Sequence, residues 1–162
     1  LMDVVMQSKL KLPNLVILDG ITDPHNVGAI LRSAEVFGAS AVVGTRHHSA
    51  PETGALAKAA SGALERQPYI RVKNLSDSIL ELKKIGFVAL GLDATGSSNI
   101  SDAAKLYSDR PIALILGAEG PGLRSRTKEV ADALIKIEPL SSFGSLNVSN
   151  AAAVGLYSIT AV

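Results

Sequence analysis

The sequence predicts an α/β domain: a mostly parallel sheet of about six strands with helices on both faces. Two observations carry this. Six short, β-branched runs alternate with helix-patterned stretches, the order that builds strand–helix–strand units. Several of those runs are apolar throughout, as in Ile112-Ala113-Leu114-Ile115-Leu116. Unbroken apolar runs mark strands covered on both faces, the habit of parallel sheets. Composition agrees. A chain of 162 residues has the length of one domain, and 47% apolar against 19% charged residues supplies a core and excludes intrinsic disorder.

The elements follow in order. Residues 1–12 read as a helix or a linker, and the opening Leu1-Met2-Asp3-Val4 reads as the start of a fragment. The strands are expected at Leu15–Asp19, Ala41–Gly44, Tyr69–Val72, Phe87–Leu92, Ile112–Leu116 and Leu134–Ile137. The first long helix is expected from about Pro24 to Phe37. Asp23 suits its N-cap and Pro24 its first position, Val27, Ile30, Leu31 and Ala34 form an apolar stripe, and Gly38 ends it. A second, Ala-rich helix spans about Pro51–Leu64, interrupted by Gly54 and Gly62. A third spans about Ser76–Lys84, with Ile79, Leu80 and Leu82 inward and Gly86 as its stop. A shorter helix follows Leu123. The last starts near Asn147 and runs to the end. Pro139 to Val162 carry no charge. Two readings of that tail stand side by side: burial in its own domain, and partial burial in a homodimer interface.

Several chemistries are excluded. Cysteine is absent, so there is no disulfide, thiol nucleophile or Cys-ligated zinc. His25, His47 and His48 lack metal-ligand spacing, and no metal is expected. There is no Gly-Lys dipeptide for a Walker A loop, no G-x-S-x-G elbow, and no G-x-G-x-x-G after any expected strand. A net charge of +1 and 4% aromatic residues argue against nucleic-acid binding by bulk charge or base stacking, so any such contact is local. No apolar run is long enough to span a membrane, and no signal peptide is evident; the cytoplasm is the expected compartment.

Three polar, glycine-rich segments lie where α/β sheets place ligand sites, at strand ends and helix starts. The first is Asp19-Gly20-Ile21-Thr22-Asp23-Pro24-His25-Asn26-Val27-Gly28, continued by Arg32-Ser33-Ala34-Glu35. Asn26 and Arg32, six residues apart, stand about 240° apart on a regular helix and cannot point the same way. The second, Leu116-Gly117-Ala118-Glu119-Gly120-Pro121-Gly122-Leu123, sets one carboxylate in a loop of bare backbone amides open to a ligand. The third runs from Ile137-Glu138-Pro139-Leu140 through Ser141-Ser142-Phe143-Gly144-Ser145-Leu146-Asn147-Val148-Ser149. Ser145 or Asn147 suits the cap of the last helix. Capping, tight turns and solvated side chains account for any one segment; all three in this order are harder to explain so.

"DPHNVGAILRSAEVFG", "LILGAEGPGL" and "SLNVSNAAA" resemble, in order, the three motifs of the SpoU (TrmH-like) RNA ribose 2′-O-methyltransferases of the SPOUT superfamily. The nearest subgroup methylates a guanosine ribose in large-subunit ribosomal RNA. The resemblance spans about Leu15 to the end. It implies a C-terminal deep trefoil knot (the SPOUT α/β-knot), which no pattern argument would propose. It also implies S-adenosyl-L-methionine as cofactor, a homodimer, and RNA as partner, 23S rRNA before tRNA. Residues 1–12 would then be the linker or helix remnant of a missing upstream RNA-binding domain, and 13–162 the catalytic domain. By motif position Gly117, Ile137 and Leu146 contact the cofactor, and Asn26, Arg32, Glu119, Ser145 and Asn147 form the active site. Arg32 is expected to bind an RNA phosphate and stabilise the developing alkoxide. Asn26 and Glu119 would fix the ribose, and Ser145 and Asn147 would bond near the transferred methyl or orient Glu119. Arg46, His47, His48, Arg124, Arg126 and Lys128 are candidate phosphate binders. The rival readings are a non-catalytic RNA-binding or ribosome-assembly module of the same fold, and a protein binding another nucleotide.

Overall fold

The computed structural model describes residues 1–141 and 144–162; Ser142 and Phe143 of the third segment lie outside the described residues. The sheet has strands β1 (Leu15–Asp19), β2 (Ala41–Thr45), β3 (Tyr69–Val72), β4 (Val88–Leu92), β5 (Ser98–Asn99), β6 (Ile112–Gly117) and β7 (Ala133–Lys136). All pair parallel, in the order β3-β2-β1-β6-β4-β7-β5. Among the described residues the sheet therefore has seven strands where about six are expected. The added strand, β5, is two polar residues long, too short to carry a periodic pattern.

The helices are α1 (Met2–Met6), α2 (Pro24–Val36), α3 (Gly54–Ala60), α4 (Ala63–Arg66), α5 (Leu75–Lys84), α6 (Ile100–Leu106), α7 (Ser125–Val130) and α8 (Val148–Thr160). They cover both faces. Side chains alternate along each strand. Val16, Leu18, Val42, Leu90 and Leu114 join one core with α2, α3, α6 and α8, while Leu15, Ile17, Val43, Ala89 and Ile115 join the other with α5 and α7. None of the described helices is long and apolar enough to cross a membrane.

Three expectations need correction. The Ala-rich helix is two helices, α3 and α4, because Ser61 (φ 50°) and Gly62 (φ 82°) both adopt left-handed backbone and break it. Leu80 is exposed, whereas Ile79 and Leu82 are buried. Successive side chains on a helix stand about 100° apart, so Leu80 leaves the stripe that Ile79 and Leu82 share. Helix α6 is also an addition: its short Ile100, Ala103, Ala104 stripe follows directly on β5 with Asn99 as cap.

Two features position the ligand end of the sheet. Strands β1 and β6 are neighbours along their whole length, with Asp19 opposite Gly117. The first two polar segments therefore leave the sheet side by side. Strand β7 lies between β4 and β5, which are successive in the chain. The connection from β4 to β5 crosses it, with Asp93 N donating to the Ile135 carbonyl (2.8 Å) and Ser97 N to the Leu134 carbonyl (3.1 Å).

Candidate active site at the carboxyl ends of the sheet

Each of the three segments is shaped by local chemistry. Asp23 caps α2, its carboxylate accepting from His25 N at 3.2 Å, and Pro24 occupies the first turn. Asn26 is thereby held at the irregular start of the helix. The second segment doubles back on itself: Ala118 and Gly122 form an antiparallel bridge, with Gly122 N donating to the Ala118 carbonyl at 2.8 Å. A Cβ on Gly117 would lie 2.3 Å from Gly122 C and 2.4 Å from Leu123 N, so only glycine permits this fold-back. Glu119 sits at its tip. In the third segment Asn147 caps α8 by accepting from Ser149 N at 2.9 Å.

These three motifs meet at one side chain. Asn147 Nδ2 donates to Glu119 Oε1 at 2.8 Å and to Asn26 Oδ1 at 3.1 Å. Its Oδ1 accepts from Ser149 N and, at 2.6 Å, from Ser149 Oγ. Val148 N also donates to Glu119 Oε1, at 3.4 Å. The Asn147 amide is thus saturated and fixed in orientation. Among the described residues the Asn26 NH2 and Glu119 Oε2 keep no protein partner, leaving one donor and one acceptor at the surface. Residues 121 and 28 positions apart in sequence are joined here.

Beside this trio opens a cleft of about 750 Å³, within the range of small-molecule sites. Gly117, Glu119, Ile137, Ser145 and Leu146 all line it, together with apolar Leu92 and Leu116. Its floor also holds a charged pair not anticipated from the sequence. Asp93 meets Lys128 Nζ at 2.7 Å and accepts from Thr95 Oγ1 (2.6 Å) and Thr95 N (2.9 Å). The hydrogen bond from Lys128, then those from Thr95, hold the Asp93 carboxyl down at about 2. The available signal is positional: Asp93 directly follows β4, much as Asp19 closes β1. Asp19 is a residue of the first segment for which the sequence suggests no role. It is 1% exposed, and accepts from the backbone N of Arg124 (2.9 Å) and from its guanidinium, tying the first segment to the second.

The remaining expected residues separate. Lys128, expected on phosphate, is engaged with Asp93 in the cleft. Arg32 is exposed on α2 and does not line the cleft, consistent with the angular separation from Asn26. It has no hydrogen bond or ion pair among the described residues. Glu35, the acid three residues on, is taken instead by Arg66 in a two-point pair that holds its carboxyl below the ordinary range. Arg46 is exposed. His47, His48, Arg124 and Arg126 come together elsewhere, around a smaller depression.

Comparison with known proteins bears on this geometry. The profile of the SpoU rRNA methylase family matches residues 13–157. The chain is 43% identical over 145 residues to a 23S rRNA (guanosine-2′-O-)-methyltransferase RlmB of Ralstonia nicotianae, covering 90% of this chain and 57% of that protein. It is 42% identical to the protein of the same name from Vibrio parahaemolyticus, covering 90% and 58%. The chain thus spans a little under three fifths of these relatives. Among solved structures it resembles the SpoU methyltransferase AviRb of Streptomyces viridochromogenes in complex with AdoMet, with TM-score 0.83 and 27% identity over 95% of this chain and 59% of that one. An AdoMet-bound rRNA methyltransferase from Sinorhizobium meliloti gives TM-score 0.83 and 25% identity over 96% and 59%.

Proposed function

The chain belongs to the SpoU rRNA methylase family, and from that membership we propose that it transfers a methyl group from S-adenosyl-L-methionine to a ribose 2′-hydroxyl of RNA, a guanosine of large-subunit rRNA being the substrate its relatives' names favour. One observation carries the proposal: Asn147 joins Asn26 and Glu119, one residue from each motif, at the edge of the cleft. A non-catalytic RNA-binding module has no need to build such a junction beside a ligand-sized cleft.

The cleft suits the cofactor. Leu92, Leu116, Ile137 and Leu146 offer apolar surface for a flat base, and the fold-back at Gly117 leaves backbone groups beside it. Gly117, Ile137 and Leu146 are the residues we assign to holding it. When bound, S-adenosyl-L-methionine supplies an electrophilic methyl on a sulfonium. The chain's own residues do the rest. The free amide of Asn26 and the free oxygen of Glu119 hold the ribose; Asn147 keeps both in register, and Ser145 adds a hydroxyl from the cleft wall. The 2′-hydroxyl must lose its proton as it attacks. Arg32 is no base, since guanidinium stays protonated. It binds an RNA phosphate and stabilises charge growing on the ribose oxygen. Its support is an exposed guanidinium with no protein counter-charge. Proton acceptance falls to an RNA phosphate oxygen or water.

Two structural readings belong with this one. The crossing of β7 by the β4–β5 connection supports a knotted C-terminal region. The exposed apolar side chains on α8 support a homodimer. A ribosomal RNA substrate carries with it a cytoplasmic site of action. The test is direct. Large-subunit rRNA is incubated with the protein and methyl-labelled cofactor, digested to nucleosides and examined by mass spectrometry, with calorimetry on S-adenosylhomocysteine alongside. Label in 2′-O-methylguanosine, with cofactor binding, is expected. Folded protein that neither binds S-adenosylhomocysteine at millimolar concentration nor labels RNA overturns the proposal.

A further inference from the structure

A second depression, of about 330 Å³, opens at the carboxyl ends of β2 and β3, where the start of α5 meets α7. Lys73, Arg126, His47 and His48 line it, with Arg124 at its edge, and none of its lining residues is acidic. Lys73 has no ion pair among the described residues, and Arg126 shares only an exposed contact with Glu129 on its own helix (3.0 Å). Three hydroxyl residues of the lining are buried: Thr45 is 6% exposed and accepts from His48 N at 3.1 Å, while Ser76 is 7% exposed and Thr127 2%.

Neither the Ser76 nor the Thr127 hydroxyl has a hydrogen bond among the described residues, and neither oxygen is sealed from solvent, so both are available to a ligand in the depression. Some helical hydroxyls elsewhere in this chain bond to a carbonyl of the preceding turn. Ser78 Oγ donates to the Asn74 carbonyl at 3.0 Å, and Thr160 Oγ1 to the Leu156 carbonyl at 2.8 Å. Ser76 and Thr127 do not. They stand as unused donors in a cavity ringed by cations, beside the N-terminal turn of α5, whose dipole favours an anion. Hydroxyl donors with lysine and arginine around them are the partners that phosphate oxygens take.

We infer that this depression binds a backbone phosphate of the RNA substrate. The inference rests on the RNA-methyltransferase reading and extends it to a second contact. One stretch of chain serves both sites: Lys128 faces the 750 Å³ cleft, while Arg124, Arg126 and Thr127 face the depression. An RNA strand crossing α7 meets both, so the phosphate held here sets the register of the strand relative to the cleft.

The experiment measures RNA affinity by fluorescence anisotropy against salt, with S-adenosylhomocysteine calorimetry and melting curves on every variant. For K73E/R126E a loss of at least tenfold at 50 mM salt is expected. The slope of log K on log salt should shrink by about 0.7, the value for one phosphate contact on a single strand. For S76A/T127V a loss of about threefold is expected with the slope unchanged, while melting is unchanged because the two hydroxyls make no hydrogen bond within the described residues. Cofactor affinity should hold in all. RNA affinity within twofold of the parent in both variants, at unchanged slope, overturns the inference and leaves methyl transfer standing. A parent that binds S-adenosylhomocysteine but no RNA also overturns it. A parent that binds neither defeats the functional reading itself. Inorganic phosphate that shifts the Ser76 and Thr127 amides in NMR, with RNA affinity unaltered by the variants, marks a free-anion site and overturns the assignment to RNA.

Discussion

Arg32 and Asp93 are two charged residues with opposite circumstances. Among the described residues Arg32 has no counter-charge, Glu35 being held by Arg66, and exposure leaves it available to a substrate anion. If it stabilises transition-state charge, Arg32→Ala lowers the methylation rate by two or more orders of magnitude, about 3 kcal/mol. S-adenosylhomocysteine affinity and melting should barely change, because Arg32 lines no part of the cleft. Single-turnover methylation beside calorimetry checks this, and near-normal turnover removes the assignment. Asp93 is fully engaged. Its carboxyl titrates at about 2 in the fold, mainly through its hydrogen bond from Lys128, against about 3.9 in an unfolded chain. Because the folded value is the lower, the unfolded state takes up the proton first. The stabilisation is complete above about pH 5 and is lost as pH falls toward 2. With Lys128 36% exposed, solvent screening leaves roughly 1–2 kcal/mol. The stability gap between parent and Asp93→Asn, from urea unfolding, should therefore close between pH 5 and pH 2. A gap independent of pH shows that the ion pair contributes nothing.

Among the elements, a close helix–helix contact that the sequence leaves visible as a single letter is at Gly28 in α2. A Cβ there would stand 2.5 Å from the Ala59 Cβ and 2.8 Å from the Ala59 and Ala60 backbone of α3. The backbone of α3 cannot turn aside as a flexible side chain would, so Gly28→Ala must push the helices apart. Overpacking of this kind costs about 1–3 kcal/mol, a fall in Tm of roughly 3–10 °C. Gly54→Ala, at the open start of α3 with nothing near its Cβ, is the control and should leave Tm level or slightly higher. Equal melting of the two variants would mean that α2 and α3 adjust freely. The same scale shows what was readable beforehand. Strands β1 and β3 are found at the expected residues and α2 carries the expected cap, because short β-branched runs bounded by turn residues and an Asp-Pro start are local signals. Strand β5 was not legible, since two polar residues become a strand only through the partner that β7 provides. The split at Ser61 was hidden because left-handed backbone at a serine has no reliable letter code. At the site, Asn26, Glu119 and Asn147 were legible through motif order, but their meeting at one amide was not. Neither was Asp93, whose significance comes from a lysine that a different helix delivers.

At the scale of the whole molecule the unresolved account is that of apolar surface. The uncharged tail was open to two readings, and α8 supports a share of each. Val148, Ala152, Gly155, Leu156 and Ile159 are buried against the domain. Tyr157 is 61% exposed and Val154 39%, on the same helix. Tyr157 touches Phe37 edge-on, with ring centroids 6.1 Å apart, which brings the exposed Val36 at the end of α2 close to the same surface. A single domain gains nothing by leaving an aromatic ring and two valines in water beside a helix without one charge to keep copies apart. Two copies that join these faces remove them from water on both sides at once, as a two-fold interface requires. A stable dimer needs about 1,200–2,000 Å² of buried surface. Tyr157→Glu places a charge in the centre of that face without entering the core. Sedimentation at tens of micromolar should show the parent as a dimer and the variant as a monomer, with matching circular dichroism to establish that both are folded. A parent that sediments as a monomer ends the proposal. A variant that stays dimeric moves the interface away from α8 and gives the uncharged tail back to the interior of its own domain.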